Sequence, residues 1–203
     1  MKANESNQSN EQLKTMDNWG KAYPFEFNAE KAIELILYIA GHIEEPTSHS
    51  ILQILYFADK EHLEKYGRFI CGDKYAAMKH GPVPSGVYDL LKLVRGDLSP
   101  TFKLSPEIVG SVHQSIDIYE SFKIKNKREP DLEMFSASDI ECLNNSIKKY
   151  GSLSFNMLTD LSHDKAWELA DENDLMGIDH IIAGFDNSSE LYEHLSDPHP
   201  EGI

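Results

Sequence analysis

Three side chains near the middle of the chain have types and spacing that suit chemistry: Asp59, His62 and His80. Asp59 and His62 stand three apart, so on a helix they share one face. A carboxylate beside an imidazole is the beginning of acid–base machinery or of a metal site. His80 precedes the segment Gly81-Pro82-Val83-Pro84 and is placed either to approach that pair or to fix the turn by a hydrogen bond. The same residues, next to Lys60, Glu61 and Glu64, also read as an ordinary solvated helix surface. Stronger signals are missing from the sequence. It has no G-x-x-x-x-G-K-[ST] or G-x-G-x-x-G phosphate loop, no C-x-x-C or H-E-x-x-H, and no G-x-S-x-G elbow. Cys71 and Cys142 stand alone in apolar settings and read as reduced thiols. The expectation is therefore no catalytic residue, no metal and no cofactor. A metal-dependent hydrolase built on Asp59, His62 and His80 is the lesser alternative. A second pair, His163 and Trp167, is spaced to lie on one side of a helix, where it packs helices together or meets a partner.

These residues need helices to place them. Ile33, Ile36, Leu37, Ala40 and Ile43 follow the three-four spacing of a buried stripe and predict a helix over about Ala29 to Ile43, capped by Asn28. A second helix is predicted over about His49 to Tyr66, opened by Thr47 or Ser48 and stopped by Gly67. Arg68 to His80 reads as a small hairpin or two extended pieces, followed by a rigid Gly-Pro-Val-Pro turn. A third helix covers about Ser85 to Val94, and Gly96 to Pro106 reads as loop. Ser115 to Lys125 alternates Ile116, Ile118 and Phe122 with polar residues, as a strand does. Ser136, with Asp139 three residues on, opens a helix that Tyr150-Gly151 closes. Shorter helices are expected over Leu153 to Leu161, His163 to Ala170, Asp179 to Phe185 and from Ser188 or Ser189 to Leu195. The fold class is α+β, predominantly α-helical: one helical domain with a small β-hairpin or short sheet. Residues 1–24 read as a flexible polar tail, 25–187 as the domain and 188–203 as an acidic C-terminal helix and tail. Trp19, Tyr23, Phe25 and Phe27 either fold back on the domain or dock on a partner.

The formal net charge of the 203 residues is −15, so phosphate backbones repel the molecule as a whole and nucleic acid is not an expected partner. The charge is uneven. From Thr159 onward Lys165 stands alone against acids running from Asp160 to Glu201, a solvated surface or a docking face for a basic partner. No stretch approaches the ~20 apolar residues of a membrane helix, and the N-terminus lacks an apolar secretory core. A cytoplasmic protein with no membrane partner is expected.

Residues 52 to 91 read LQILYFADKEHLEKYGRFICGDKYAAMKHGPVPSGVYDLL. This block resembles the central signature of the Panacea (SocA-like) antitoxin domain, also met in phage-associated proteins. The shared elements are Leu52, Leu55, Tyr56, Phe57 and Ala58, then Tyr66, Gly67 and Ile70, then Tyr75 and Ala77, then Gly81, Pro82, Val83, Val87, Tyr88 and Leu91. A second block in the same order is Tyr150-Gly151, Leu158, Leu161, Ser162, His163 and Trp167. The resemblance covers about residues 30 to 185. It implies the antitoxin of a toxin–antitoxin pair that neutralises a cognate protein toxin by direct binding, with no bound cofactor. Adaptors that hand a toxin to a protease are the alternative it implies. It also suggests Tyr66, Tyr75, His80, Tyr88, His163 and Trp167 as partner contacts.

Overall fold

The computed structural model describes residues 24–97 and 104–196. The expected N-terminal tail with Trp19 and Tyr23, most of the Gly96–Pro106 connection and the last residues of the C-terminal tail lie outside the described residues.

The first helix, α1 (Ala29–Gly41), is the centre of the molecule. Every residue from Ala32 to Ala40 is buried, as expected of a helix that is apolar all round. Asn28 caps it by accepting the Lys31 N–H at 2.9 Å. Its one buried charge, Glu34, is held by Arg128 at 2.8 and 2.5 Å and by the Asp131 N–H at 2.7 Å. Burial pushes this carboxyl up, but Arg128 and the Asp131 N–H outweigh it and hold the group below the usual range.

The second helix, α2 (Ser48–Tyr66), opens with a capping box between Thr47 and Ser50 and ends on Gly67 at φ 69°. It packs along α5 (Ala137–Tyr150). Between them in sequence come β1 (Tyr75–Met78), β2 (Gly81–Pro84), α3 (Ser85–Arg95), α4 (Pro106–Ser115), β3 (Ile116–Tyr119) and β4 (Lys123–Asn126). After α5 the chain forms α6 (Phe155–Ser162), α7 (Lys165–Glu168), α8 (Ile178–Ile182) and α9 (Ser188–Ser196). The class is α+β, mostly helical, with two antiparallel strand pairs.

The two hairpins depart from the sequence reading. Gly81–Pro84 is a strand paired with β1, not a turn. The tight turn falls at Lys79-His80. Prolines are tolerated there for a specific reason. The backbone groups of Tyr75 and Ala77 face the other way, toward a third extended piece: Ala77 donates to Asp174, while Asn173 and Met176 donate to Ala77 and Tyr75. Pro82 and Pro84, opposite Ala77 and Tyr75, therefore occupy positions where no N–H is asked for. The stretch Ser115–Lys125 is not one strand but most of a hairpin, β3 and β4, entered from α4. Its turn residues Glu120 and Ser121 lie at φ 51° and 67°, the positive angles of a type I′ turn without the usual Asn or Gly. The hairpin is held on the α2 entry: Ser48 N–H donates to the Phe122 carbonyl and Ile124 N–H to the Pro46 carbonyl, both at 2.8 Å. The helix α4 carries Gly110 and several poor helix formers and buries only Val112 and Ser115, so its periodicity is weak.

Two apolar clusters result. One surrounds α1 with α2, α3, Val112, Ile116, Ile124 and Leu143. The other joins Tyr56, Leu63, Phe69 and Tyr75 to Ala166, Met176, Ile178, Ile181, Leu191 and Leu195, which brings α9 onto the domain.

Candidate functional site

The trio Asp59, His62 and His80 is not assembled. Asp59 and His62 share the inner face of α2, and both are fully buried. Asp59 accepts the Ile70 N–H at 2.7 Å and the Tyr75 hydroxyl at 2.6 Å. Burial pushes its carboxyl up to about 7 against those two hydrogen bonds. The carboxylate that meets His62 is Asp139 of α5, 3.1 Å from Nε2. Nδ1 of His62 donates to the Arg68 carbonyl at 2.9 Å. Asp139 also takes Lys31 at 2.6 Å, Arg68 at 3.0 Å and the Ser136 N–H at 2.9 Å. Burial raises its pKa, but His62 and Lys31 overcome that and hold it far below the usual range. His80 sits elsewhere, exposed at the β1–β2 turn against Phe155, ring centroids 5.3 Å apart. No group of three or more His, Cys, Asp or Glu side chains among the described residues is arranged to hold a metal ion.

The loop between α2 and β1 carries a second buried acid. Asp73 accepts the N–H groups of Gly86 at 2.9 Å, Val87 at 2.8 Å and Lys74 at 2.7 Å. It caps α3 from a distance, because the residue in the cap position is Pro84, which makes no side-chain cap. Burial pushes its carboxyl up to about 6. Asp59 and Asp73 thus clamp the same loop from two sides.

The six suggested partner contacts divide by burial. Tyr75 is fully enclosed with its hydroxyl on Asp59. It is a core residue of the chain as it stands, unlike the members of the set that reach solvent. His163 and Trp167 are not on one helix. His163 follows the end of α6 and Trp167 lies in α7, with Asp164 capping the junction by accepting from Ala166 and Trp167. Their rings still stack, 3.8 Å apart at 11°. Trp167 Nε1 donates to the Met78 carbonyl at 2.9 Å, so the pair ties α6 and α7 to the hairpin. Tyr66 is 44% exposed and donates to Glu141. Tyr88 is half-buried under Lys92. Both cysteines are buried, and burial raises both thiol pKa values, that of Cys142 to about 12.

A concave feature lies at the far end of α1. A groove of about 1000 Å³ runs between the α1–α2 connection, the β3–β4 turn and the α5–α6 junction. Ile43, Ile147, Leu153 and Leu158 supply its apolar lining, together with Phe122 and Phe155. The last two are each 48% exposed. Phe155 is braced by His49, ring centroids 4.0 Å apart. His49 Nε2 lies 3.2 Å from both the His80 carbonyl and Thr159 Oγ1. Burial lowers the His49 pKa, against the hydrogen bond to His80. Gly151, in the groove lining, is tightly packed: a β-carbon there would come within 2.9 Å of Ile43 Cγ2 and 2.6 Å of the Ile147 carbonyl. Sequence reading missed this site. Phe122 belongs to an alternating pattern that points it inward, and only the unannounced turn before it swings it out.

The family model of the SocA-like antitoxin, Panacea domain, matches residues 51–168. That is more than half of the chain. The chain belongs to the SocA-like Panacea antitoxin family. No curated protein and no solved structure matches it. In the fold, the Panacea segment runs from the first turn of α2 through α7. It contains the Asp59 and Asp73 clamps, both hairpins and the His163–Trp167 stack. The groove straddles its edge: Phe122 and Ile147 to Leu158 belong to the Panacea segment, whereas His42 to Ser50 precede it. No described helix is long and apolar enough to cross a membrane.

Proposed function

We propose that this protein is the antitoxin of a toxin–antitoxin pair and neutralises its cognate toxin by direct protein–protein binding. The Panacea match over residues 51–168 carries this reading. The structure is compatible with it in one respect that matters. The acid and imidazole groups with catalytic potential are used to hold the fold, while two exposed phenylalanines, Phe122 and Phe155, line a groove. The protein acts in the cytoplasm, without catalysis of its own. A net charge of −15 favours encounter with a basic toxin. Tyr66, His80 and Tyr88, whose side chains reach solvent, are the members of the suggested contact set available to a partner. Co-expression with the product of the adjacent gene tests the proposal. Rescue of growth and a co-purifying complex are expected. Unrescued growth with no complex sinks the reading for that gene pair. Delivery of the toxin to a protease is separated from masking by following toxin levels in cells lacking the protease.

A further inference from the structure

We propose that the groove between Phe122 and Phe155 seats a cationic, amphipathic segment of the toxin, with one bulky apolar side chain inserted between the two rings. This rests on the antitoxin reading and names where and by what chemistry the partner is held. Three observations carry it.

The first is the exposure of two aromatic lips on an apolar groove. Six apolar residues line the depression, and nearly half of each phenylalanine remains in solvent. Scattered exposed apolar residues are ordinary, but a contiguous set lining a groove marks a contact surface. Its volume of about 1000 Å³ suits several side chains of a partner segment.

The second is that the fold holds both lips in place before any partner arrives. Phe155 is packed against His49 and His80. The Phe122 carbonyl accepts the Ser48 N–H at 2.8 Å. Glu120 and Ser121 adopt positive φ, a conformation that costs non-glycine residues energy and persists only where surrounding contacts impose it. Rigid aromatic anchors lose little entropy on binding, which is why they dominate interface energies.

The third is charge. Glu44 and Glu45 are exposed on the rim, and neither forms an ion pair among the described residues. Lys148 also lines the groove and Lys123 lies near enough to Glu45 to feel its charge, within a molecule of net charge −15. A lysine or arginine beside the inserted apolar residue meets these carboxylates, and a segment of acidic character is repelled.

The test uses the full chain with the adjacent gene product as the probe. Binding is measured by calorimetry for wild type, Phe122→Ala, Phe155→Ala, a Glu44→Lys/Glu45→Lys double variant and Tyr119→Ala. Tyr119 is a comparably exposed aromatic of the same hairpin that does not line the groove. Each groove phenylalanine variant is expected to bind roughly 30-fold or more weakly. The charge reversal weakens binding and flattens its salt dependence, and Tyr119→Ala binds as wild type. A photo-crosslinking residue at Ser152, on the groove wall, keeps both rings and reports directly. It links to the partner, whereas the same group at Glu133 does not. Full affinity in both phenylalanine variants, or crosslinks from position 133 and none from 152, overturns the proposal while leaving the antitoxin reading intact. Crosslinks at 152 between two copies of the chain, or to its own residues 1–23, also overturn it. Failure of the wild-type chain to bind the adjacent gene product refutes both for that pair.

Discussion

Asp59 ties the stability of the fold to pH near neutrality, and Asp59→Asn isolates it. The side chain is fully buried and its folded pKa is pushed from 3.8 up to about 7. A carboxyl whose pKa rises on folding binds more protons in the native state than in the unfolded chain. Its favourable contribution is therefore complete below about pH 4 and is lost as pH rises through about 7. A rise of that size corresponds to roughly 4 kcal/mol across the whole window, of which roughly 2–3 kcal/mol falls between about pH 5 and pH 8. The asparagine keeps the shape, accepts one of the two hydrogen bonds and titrates nowhere. Urea unfolding of both proteins from about pH 5 to pH 8 gives the stability difference at each pH. Wild type is expected to lose roughly 2–3 kcal/mol relative to the variant over that range. Taking the difference cancels His49, whose lowered pKa acts in the opposite sense, and the part of the Asp73 dependence, of the same sign through about 6, that does not come from its repulsion with Asp59. A stability difference constant with pH would mean that Asp59 stays ionised throughout. The Tyr75 and Ile70 hydrogen bonds would then fully offset burial, and the reasoning would be refuted.

Three further outcomes are expected. Asp73→Ala leaves three N–H groups without their acceptor, two of them in the first turn of α3, and should lower unfolding free energy by about 2–3 kcal/mol in denaturant. Gly81→Ala places a β-carbon at φ 111° into Ser162 Oγ and Gln53 Oε1, with an expected loss of at least ~2 kcal/mol measured the same way. Asp139→Asn strips the charge that Lys31, Arg68 and His62 share, at a cost of about 3 kcal/mol near neutrality. Because the Asp139 pKa is lowered on folding, its contribution is present above about pH 4 and lost as pH falls below it. Acid titration should therefore show a shallower loss in the variant than in wild type.

The sequence by itself determined the helices that signal both ends and a stripe. Asn28, Thr47 or Ser48, and Ser136 announced α1, α2 and α5, and Gly67 closed α2, because caps and periodicity act within a few residues of where they are written. The two motif blocks also marked the Panacea family before any contact was known. What tertiary structure decided were the matters of distance. Whether Asp59 partners His62 or Tyr75, and whether a loop acid caps α3, depends on residues 16 and 13 positions away. No local spacing encodes such separations. The β3–β4 turn was hidden because Glu120 and Ser121 are forced to positive φ by the docking of their hairpin on residues 46–48. With that turn in place, Phe122 leaves the inward-facing pattern and meets Phe155 across a groove that the chain order alone does not reveal.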